Sequence, residues 1–164
     1  MNYKHVFNIN TEWNYKTLGL LTFLILIPNF LGMINVVIYP GFKVHFFQIA
    51  IFLAAAIYGP SGGALSGFIG SFYAAIAMSN PYIVFGNALL GFFVGYLIRE
   101  NIHLISAVLA AFCIQLPWLI VSDYFLTGMP LNAIGNIVIT LAVSNIIWAV
   151  IISRIIKPIR GTIK

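Results

Sequence analysis

The chain has 164 residues, of which 62% are hydrophobic and only 7% charged, and its mean hydropathy is +1.04. A soluble domain of this length needs more charge on its surface, so the composition indicates a single membrane domain. The net charge of +5 would suit nucleic acid in a soluble protein, but the bases here flank apolar segments, and we expect no nucleic-acid partner.

The N-terminal segment, residues 1–16, mixes aromatic and charged side chains, a composition suited to the headgroup region of a bilayer. The apolar run that follows is longer than the core of a signal peptide, so we expect this end to be retained as an interfacial segment. A transmembrane domain is predicted over 17–156 and a basic cytoplasmic tail over 157–164.

Gly, Pro and charged residues divide the apolar sequence into six predicted membrane-spanning helices. No Asp, Glu, Lys or Arg occurs between Val44 and Ile98, but the pairs Gly59-Pro60 and Asn80-Pro81 split this run into three. The second helix is too short to span alone, which favours a position beside a cavity. The predicted helices are Thr17–Ile38, Val44–Tyr58, Gly62–Met78, Tyr82–Ile98, His103–Phe125 and Leu131–Ile156.

The predicted fold class is therefore an all-α integral membrane protein, a compact bundle of six transmembrane helices. Six helices place both termini on one side, which receives all basic residues except Lys43. By the positive-inside tendency, both termini are expected to be cytoplasmic in a multi-pass protein of the cell membrane. A five-helix alternative, in which the second helix merges with its neighbour, would place the C-terminal bases outside.

Small residues recur at four-residue spacing on two predicted helices, as Gly63, Gly67 and Ser71 on the third and Gly91 and Gly95 on the fourth. Such rows let membrane helices approach closely. We expect these rows to pack within the chain rather than to dock a partner.

The sequence offers little support for catalysis, a metal site or a bound cofactor. His5 and His103 are predicted on one side of the membrane and His45 on the other, so they cannot share an ion. The Gly-rich segment around Gly62 lacks the Lys-Ser/Thr of a nucleotide loop, and no carboxylate lies at a predicted midplane. Active transport would therefore need energy from another subunit.

Polar side chains concentrate in the outer halves of the predicted helices, where burial is costly unless each finds a partner. Amides beside Trp and Tyr rings suit a small, planar, neutral or zwitterionic solute, although interhelical hydrogen bonds are the alternative for each residue alone. Asn145 and Trp148 lie deeper and are interpreted as packing residues. The predicted substrate-binding residues are Lys43, His45, Gln48, Tyr82, Asn87, Gln115, Trp118, Asp123, Asn132 and Asn136.

The central third of the chain resembles the substrate-binding S components of energy-coupling factor (ECF) vitamin transporters. The size and the six-helix plan also fit that family. The likeness is carried by Phe47-Gln48-Ile49, Leu53–Pro60, Gly62–Gly70, Pro81 and Gly86–Gly95.

The resemblance implies capture of a vitamin-like micronutrient from outside, beneath the loop between the first two helices. A membrane coupling subunit and two cytoplasmic ATPases would then drive its release inside. Two features depart from the family pattern: the first helix has no Ala-xxx-Ala row, and the Met-His start of metal-transporting members is missing. The first puts coupling to a shared module in doubt, and the second argues against metal uptake.

Two other functions stay open at this point. One is a non-transporting membrane scaffold resembling the bacterial shape protein MreD, and the other is an autonomous facilitator. Among solutes, the sequence does not choose between riboflavin, thiamine precursors, and tryptophan-like or queuosine-like compounds.

Overall fold

The computed structural model describes residues 14–34, 36–39 and 42–163, so most of the predicted interfacial segment lies outside the described residues. The described residues form mainly helices, together with one short β-hairpin. The elements are α1 (Tyr15–Gly32), β1 (Val36–Tyr39), β2 (Phe42–Val44), α2 (Gln48–Ile69), α3 (Phe72–Ala77), α4 (Ile83–Arg99), α5 (Leu104–Val121), a π-helix (Ser122–Leu126) and α6 (Leu131–Ile163).

Four stretches of the described chain are long and apolar enough to cross a membrane, and α4 is a shorter apolar helix. This pattern of length and composition is that of a multi-pass membrane protein. The four stretches are Tyr15–Gly32, Gln48–Ala77, Leu104–Leu126 and Leu131–Ile156.

The first helix begins and ends with clear local signals. The side chain of Asn14 accepts hydrogen bonds from the backbone N–H groups of Lys16 and Thr17, at 2.9 and 3.0 Å, and so caps α1. The predicted continuation of this helix to Ile38 is wrong, because Val36–Tyr39 pairs with Phe42–Val44 as an antiparallel hairpin. The β-branched run in β1 explains the difference, since such side chains favour extended backbone.

The chain reverses direction at Gly59, inside α2. Gly59 has φ 73° and ψ −157°, a conformation open almost only to glycine. Residues eight apart in a straight helix are about 12 Å from each other, yet a Cβ on Gly63 would lie 2.8 Å from the Cβ of Ala55. Two antiparallel arms therefore meet at Gly59, where the sequence predicted a break.

The second arm of α2 packs on α4 through backbone contact, along a surface that we call the glycine seam. A Cβ on Gly63 would meet the carbonyl group of Gly91, one on Gly67 would meet the carbonyl of Asn87, and one on Gly95 would meet the backbone of Gly59. The prediction that these small residues pack within the chain is confirmed. Such close approach gives membrane helices their van der Waals attraction.

The predicted third helix, Gly62–Met78, is interrupted near Ser71, between α2 and α3. The side chain of Asn29 on α1 bridges this break, since its Nδ2 donates to the carbonyl of Ile69 at 3.0 Å and its Oδ1 accepts from the N–H of Tyr73 at 2.9 Å. Backbone groups that the interruption releases thus find partners inside the bundle, as burial requires.

The apolar core lies where the first arm of α2 meets α4, α5 and α6. It includes Phe52, Leu90, Val108 and Ile152, all of which are almost completely buried. Phe47, which precedes α2, belongs both to this core and to the lining of the cavity described next.

Candidate functional site

A cavity lies between α3, α4, α5 and α6, next to the segment that follows β2. It is partly enclosed by the protein and partly open to the solvent. Its lining is mostly apolar and aromatic with a few polar groups. The lining residues are His45, Phe47, Ala74, Met78, Tyr82, Ile83, Gly86, Asn87, Gln115, Trp118, Leu119, Ser122, Asp123, Ile137 and Leu141.

Six of the ten predicted site residues line this cavity. They come from four separate parts of the chain and are His45, Tyr82, Asn87, Gln115, Trp118 and Asp123. The fold thus brings together polar side chains that the sequence placed only on a common side of the membrane.

The other four predicted positions are placed differently. Gln48 is fully buried but does not line the cavity. Asn132 and Asn136 are exposed on the first turns of α6, and Asn132 accepts a hydrogen bond from the N–H of the adjacent Ala133. The side chain of Lys43 lies outside the described residues. The two predicted site residues on α6 are thus exposed and do not line the cavity.

One wall of the cavity carries a chain of amide and hydroxyl hydrogen bonds. The Nδ2 of Asn87 donates to the hydroxyl of Ser71 at 2.8 Å, and that hydroxyl donates to the carbonyl of Gly67 at 2.6 Å. The Nε2 of Gln115 makes a longer contact, 3.4 Å, to the Oδ1 of Asn87. The Oε1 of Gln115 has no partner among the described residues, so this acceptor is free for a solute.

The rim of the cavity is organised around Asp123, in the π-helix that widens the end of α5. Its carboxylate accepts from the Nδ2 of Asn80 at 2.7 Å, and the Oδ1 of Asn80 accepts from the N–H of Tyr82 at 3.0 Å. No Lys or Arg side chain lines the cavity within the described part of the chain. The Asp123 carboxylate makes this part of the cavity suited to hydrogen-bond donors.

Aromatic rings supply flat surfaces beside these polar groups. The indole N–H of Trp118 donates to the carbonyl of Tyr82 at 3.1 Å, which fixes the ring on the cavity wall beside Gly86. The rings of His45 and Phe47 meet edge to face with centroids 5.6 Å apart. A planar solute can pack against such surfaces while its edges reach the amides.

The backbone at His45 is tied to α6 and so holds this part of the wall in place. Its N–H donates to the hydroxyl of Ser144 at 3.1 Å, and its carbonyl accepts from the indole of Trp148 at 2.7 Å. The sequence interpretation of Trp148 as a packing residue fits this position.

Sequence reasoning missed two kinds of residue at this site. The apolar lining, such as Phe47, Ile137 and Leu141, is indistinguishable by residue type from the rest of an apolar bundle. Asn80, which positions Asp123, was treated only as part of a turn with Pro81, although a polar residue at that point was a usable signal.

Comparison with known proteins adds one finding. The sequence model of the family described as ECF-type riboflavin transporter, S component, matches residues 13–163. Searches of curated proteins and of solved structures gave no significant match.

Proposed function

Since the chain belongs to the family of ECF-type riboflavin transporter S components, we propose that its cavity binds riboflavin or a closely related flavin. The resemblance found from the sequence is thereby confirmed over nearly the whole chain. The protein is a substrate-binding subunit of a transporter and not an enzyme. The scaffold alternative no longer has support.

The observation that carries the proposal is that aromatic rings and amide side chains line the same cavity, and that the Oε1 of Gln115 has no hydrogen-bond partner among the described residues. A flavin has a planar ring system with a neutral edge that both donates and accepts hydrogen bonds. Trp118 and Phe47 offer surfaces for such a ring, and Asn87 and Gln115 offer amides for its edge.

We keep the orientation expected from the sequence as part of this proposal. The reversal at Gly59 divides α2 into two arms, which supports six spans with both termini on one side. With the basic residues near the termini in the cytoplasm, the cavity faces outside the cell membrane. Lys43, in β2 and close to His45, would then lie near the cavity entrance.

Energy for release has to come from other subunits. As the family plan implies, we propose a membrane coupling subunit and two cytoplasmic ATPases as partners. The described part of the chain has no nucleotide loop, and its one buried carboxylate, Asp123, bonds at the rim rather than at a midplane.

The test is direct binding of riboflavin to the purified protein. The chain is extracted in detergent, co-purifying small molecules are identified by mass spectrometry, and riboflavin is titrated while its fluorescence and the melting temperature are followed. We expect flavin to be recovered, its fluorescence to be quenched and the protein to melt at a higher temperature.

Stabilisation by another vitamin but not by riboflavin would overturn the choice of solute and leave the binding role intact. No ligand and no stabilisation across a vitamin panel would overturn the binding site itself. Uptake into vesicles that lack ATPases would instead support an autonomous facilitator.

A further inference from the structure

Two amide side chains are buried in the bundle without hydrogen-bond partners. Gln48 and Asn145 are each 0% exposed, and both amide atoms of each make no hydrogen bond with any described residue. Buried polar groups in proteins are nearly always paired, because an unpaired one loses its bonds to water without replacement. Apolar side chains of similar size are therefore expected to make the empty protein more stable.

Gln48 continues the core-facing row of α2 toward the cavity. Ile51, Phe52 and Ala55 follow it at helical spacing, and all three belong to the buried core. The preceding residue, Phe47, lines the cavity. Gln48 therefore lies where the apolar core gives way to the solute site.

Asn145 occupies the matching position on α6. Ile137 and Leu141 line the cavity, and Asn145 comes next at the same four-residue spacing. Below it, Ala149 and Ile152 belong to the core cluster. The row thus changes from cavity lining to core at Asn145.

Hydrogen bonds between the segment that precedes α2 and the helix α6 lie close along the chain to both positions. The backbone of His45, three residues before Gln48, is hydrogen-bonded to Ser144 and Trp148, which flank Asn145. Gln48 and Asn145 are therefore each within three residues of this contact. The unpaired Oε1 of Gln115, which lines the cavity, is a third acceptor of this kind.

We propose that Gln48 and Asn145 form a polar subsite at the inner end of the cavity, which binds a neutral solute edge carrying both hydrogen-bond donors and acceptors. An imide, a cyclic amide or a ureido group has this chemistry, because two amide side chains can complement both its N–H and its carbonyl groups. The proposal rests on the proposed function in that it needs a solute in the cavity. It assigns Asn145 a binding role in place of the packing role expected from the sequence.

The test uses the apolar variants Gln48→Met and Asn145→Leu, singly and together, with Ser106→Leu as a control at an exposed position of α5. Without solute, we expect both variants to melt at a higher temperature than the native chain. With riboflavin, we expect about tenfold weaker binding for each single variant, as for loss of a hydrogen bond that leaves a polar partner buried.

Riboflavin that is methylated at its imide nitrogen distinguishes the loss of this subsite from a general change in the shape of the cavity. The methylated compound should bind the native protein about tenfold less tightly than riboflavin, while the double variant should hardly distinguish the two. Equal discrimination by the native protein and the double variant would overturn the proposal.

Failure of the proposed function gives a different result. If the native chain binds no flavin, the assignment of the solute fails. The melting temperatures of the variants without solute then test whether the two amides form a subsite. Lower melting temperatures in both variants would show that the two amides satisfy each other as structural partners and would overturn it. Higher ones would support it.

Discussion

The two walls of the cavity are built differently. On the side of α2 and α4, helices meet backbone to backbone along the glycine seam, and 67% of the most apolar window of Gln48–Ala77 is buried. On the other side, only 33% of the corresponding window of α6 is buried, and Asn132 and Asn136 are exposed. The first wall is formed by α4, which the seam holds in place and which carries Asn87, while the second is formed by α5 and α6 and carries Trp118 and Leu141.

The largest effect is expected at the glycine seam, from Gly91→Ala. The new methyl group would meet the carbonyl of Gly63, and a backbone group cannot rotate away as a side chain can. We expect a loss of about 3 kcal/mol or more in unfolding free energy, at the upper end of overpacking effects. Gly135→Ala on α6 is the matched control, because nothing lies within 4 Å of its Cβ position.

Thermal and denaturant unfolding in detergent measures both variants. If the Gly91→Ala protein is as stable as the Gly135→Ala protein, the glycine seam has room to relax. The first wall would then not be fixed by close backbone packing, and the proposed difference between the two walls would be wrong.

An intermediate effect is expected at the second wall, from Trp118→Ala. The ring lines the cavity and is only partly buried, so we expect the fold to persist while riboflavin binds about 10- to 100-fold more weakly. Titration by fluorescence quenching gives the affinity. Phe125→Ala, which removes a ring that is 71% exposed in the π-helix, is the control and should bind normally. Equal affinities for the two variants would remove Trp118 from the site.

The smallest effect is expected from Asn132→Ala and Asn136→Ala. Both side chains are exposed and neither lines the cavity, so stability should change by less than about 0.5 kcal/mol, and affinity should stay the same. The same titrations measure them. A tenfold loss of affinity in either variant would restore the role expected from the sequence and extend the second wall toward the start of α6.

Much of the first wall could be predicted from the sequence because its determinants are local. Rows of small residues such as Gly63 and Gly67 have few other uses in a membrane helix, and Gly59-Pro60 marks a break by itself. The end of α1 was predicted too late because hydropathy does not separate an apolar strand, such as Val36–Tyr39, from an apolar helix.

The second wall was harder to predict because it depends on tertiary placement. Asn136 and Ser144 share one row of α6, yet the first is exposed and the second fully buried. Four-residue spacing places both on one row of the helix, and the neighbouring elements decide which of them is covered. The deep position of Asn145 likewise became informative only when its amide proved to have no partner.

The reversal at Gly59 also limits which amino-acid substitutions the chain can accept at this position. The guanidinium of Arg99 occupies the space that a side chain at position 59 would need, and its Nη2 lies 3.4 Å from the carbonyl of Tyr58. Gly59 is held by its own backbone conformation as well, whereas Arg99 is not. The guanidinium of Arg99 ends a flexible side chain and can move aside, so the backbone conformation by itself is what requires glycine at position 59.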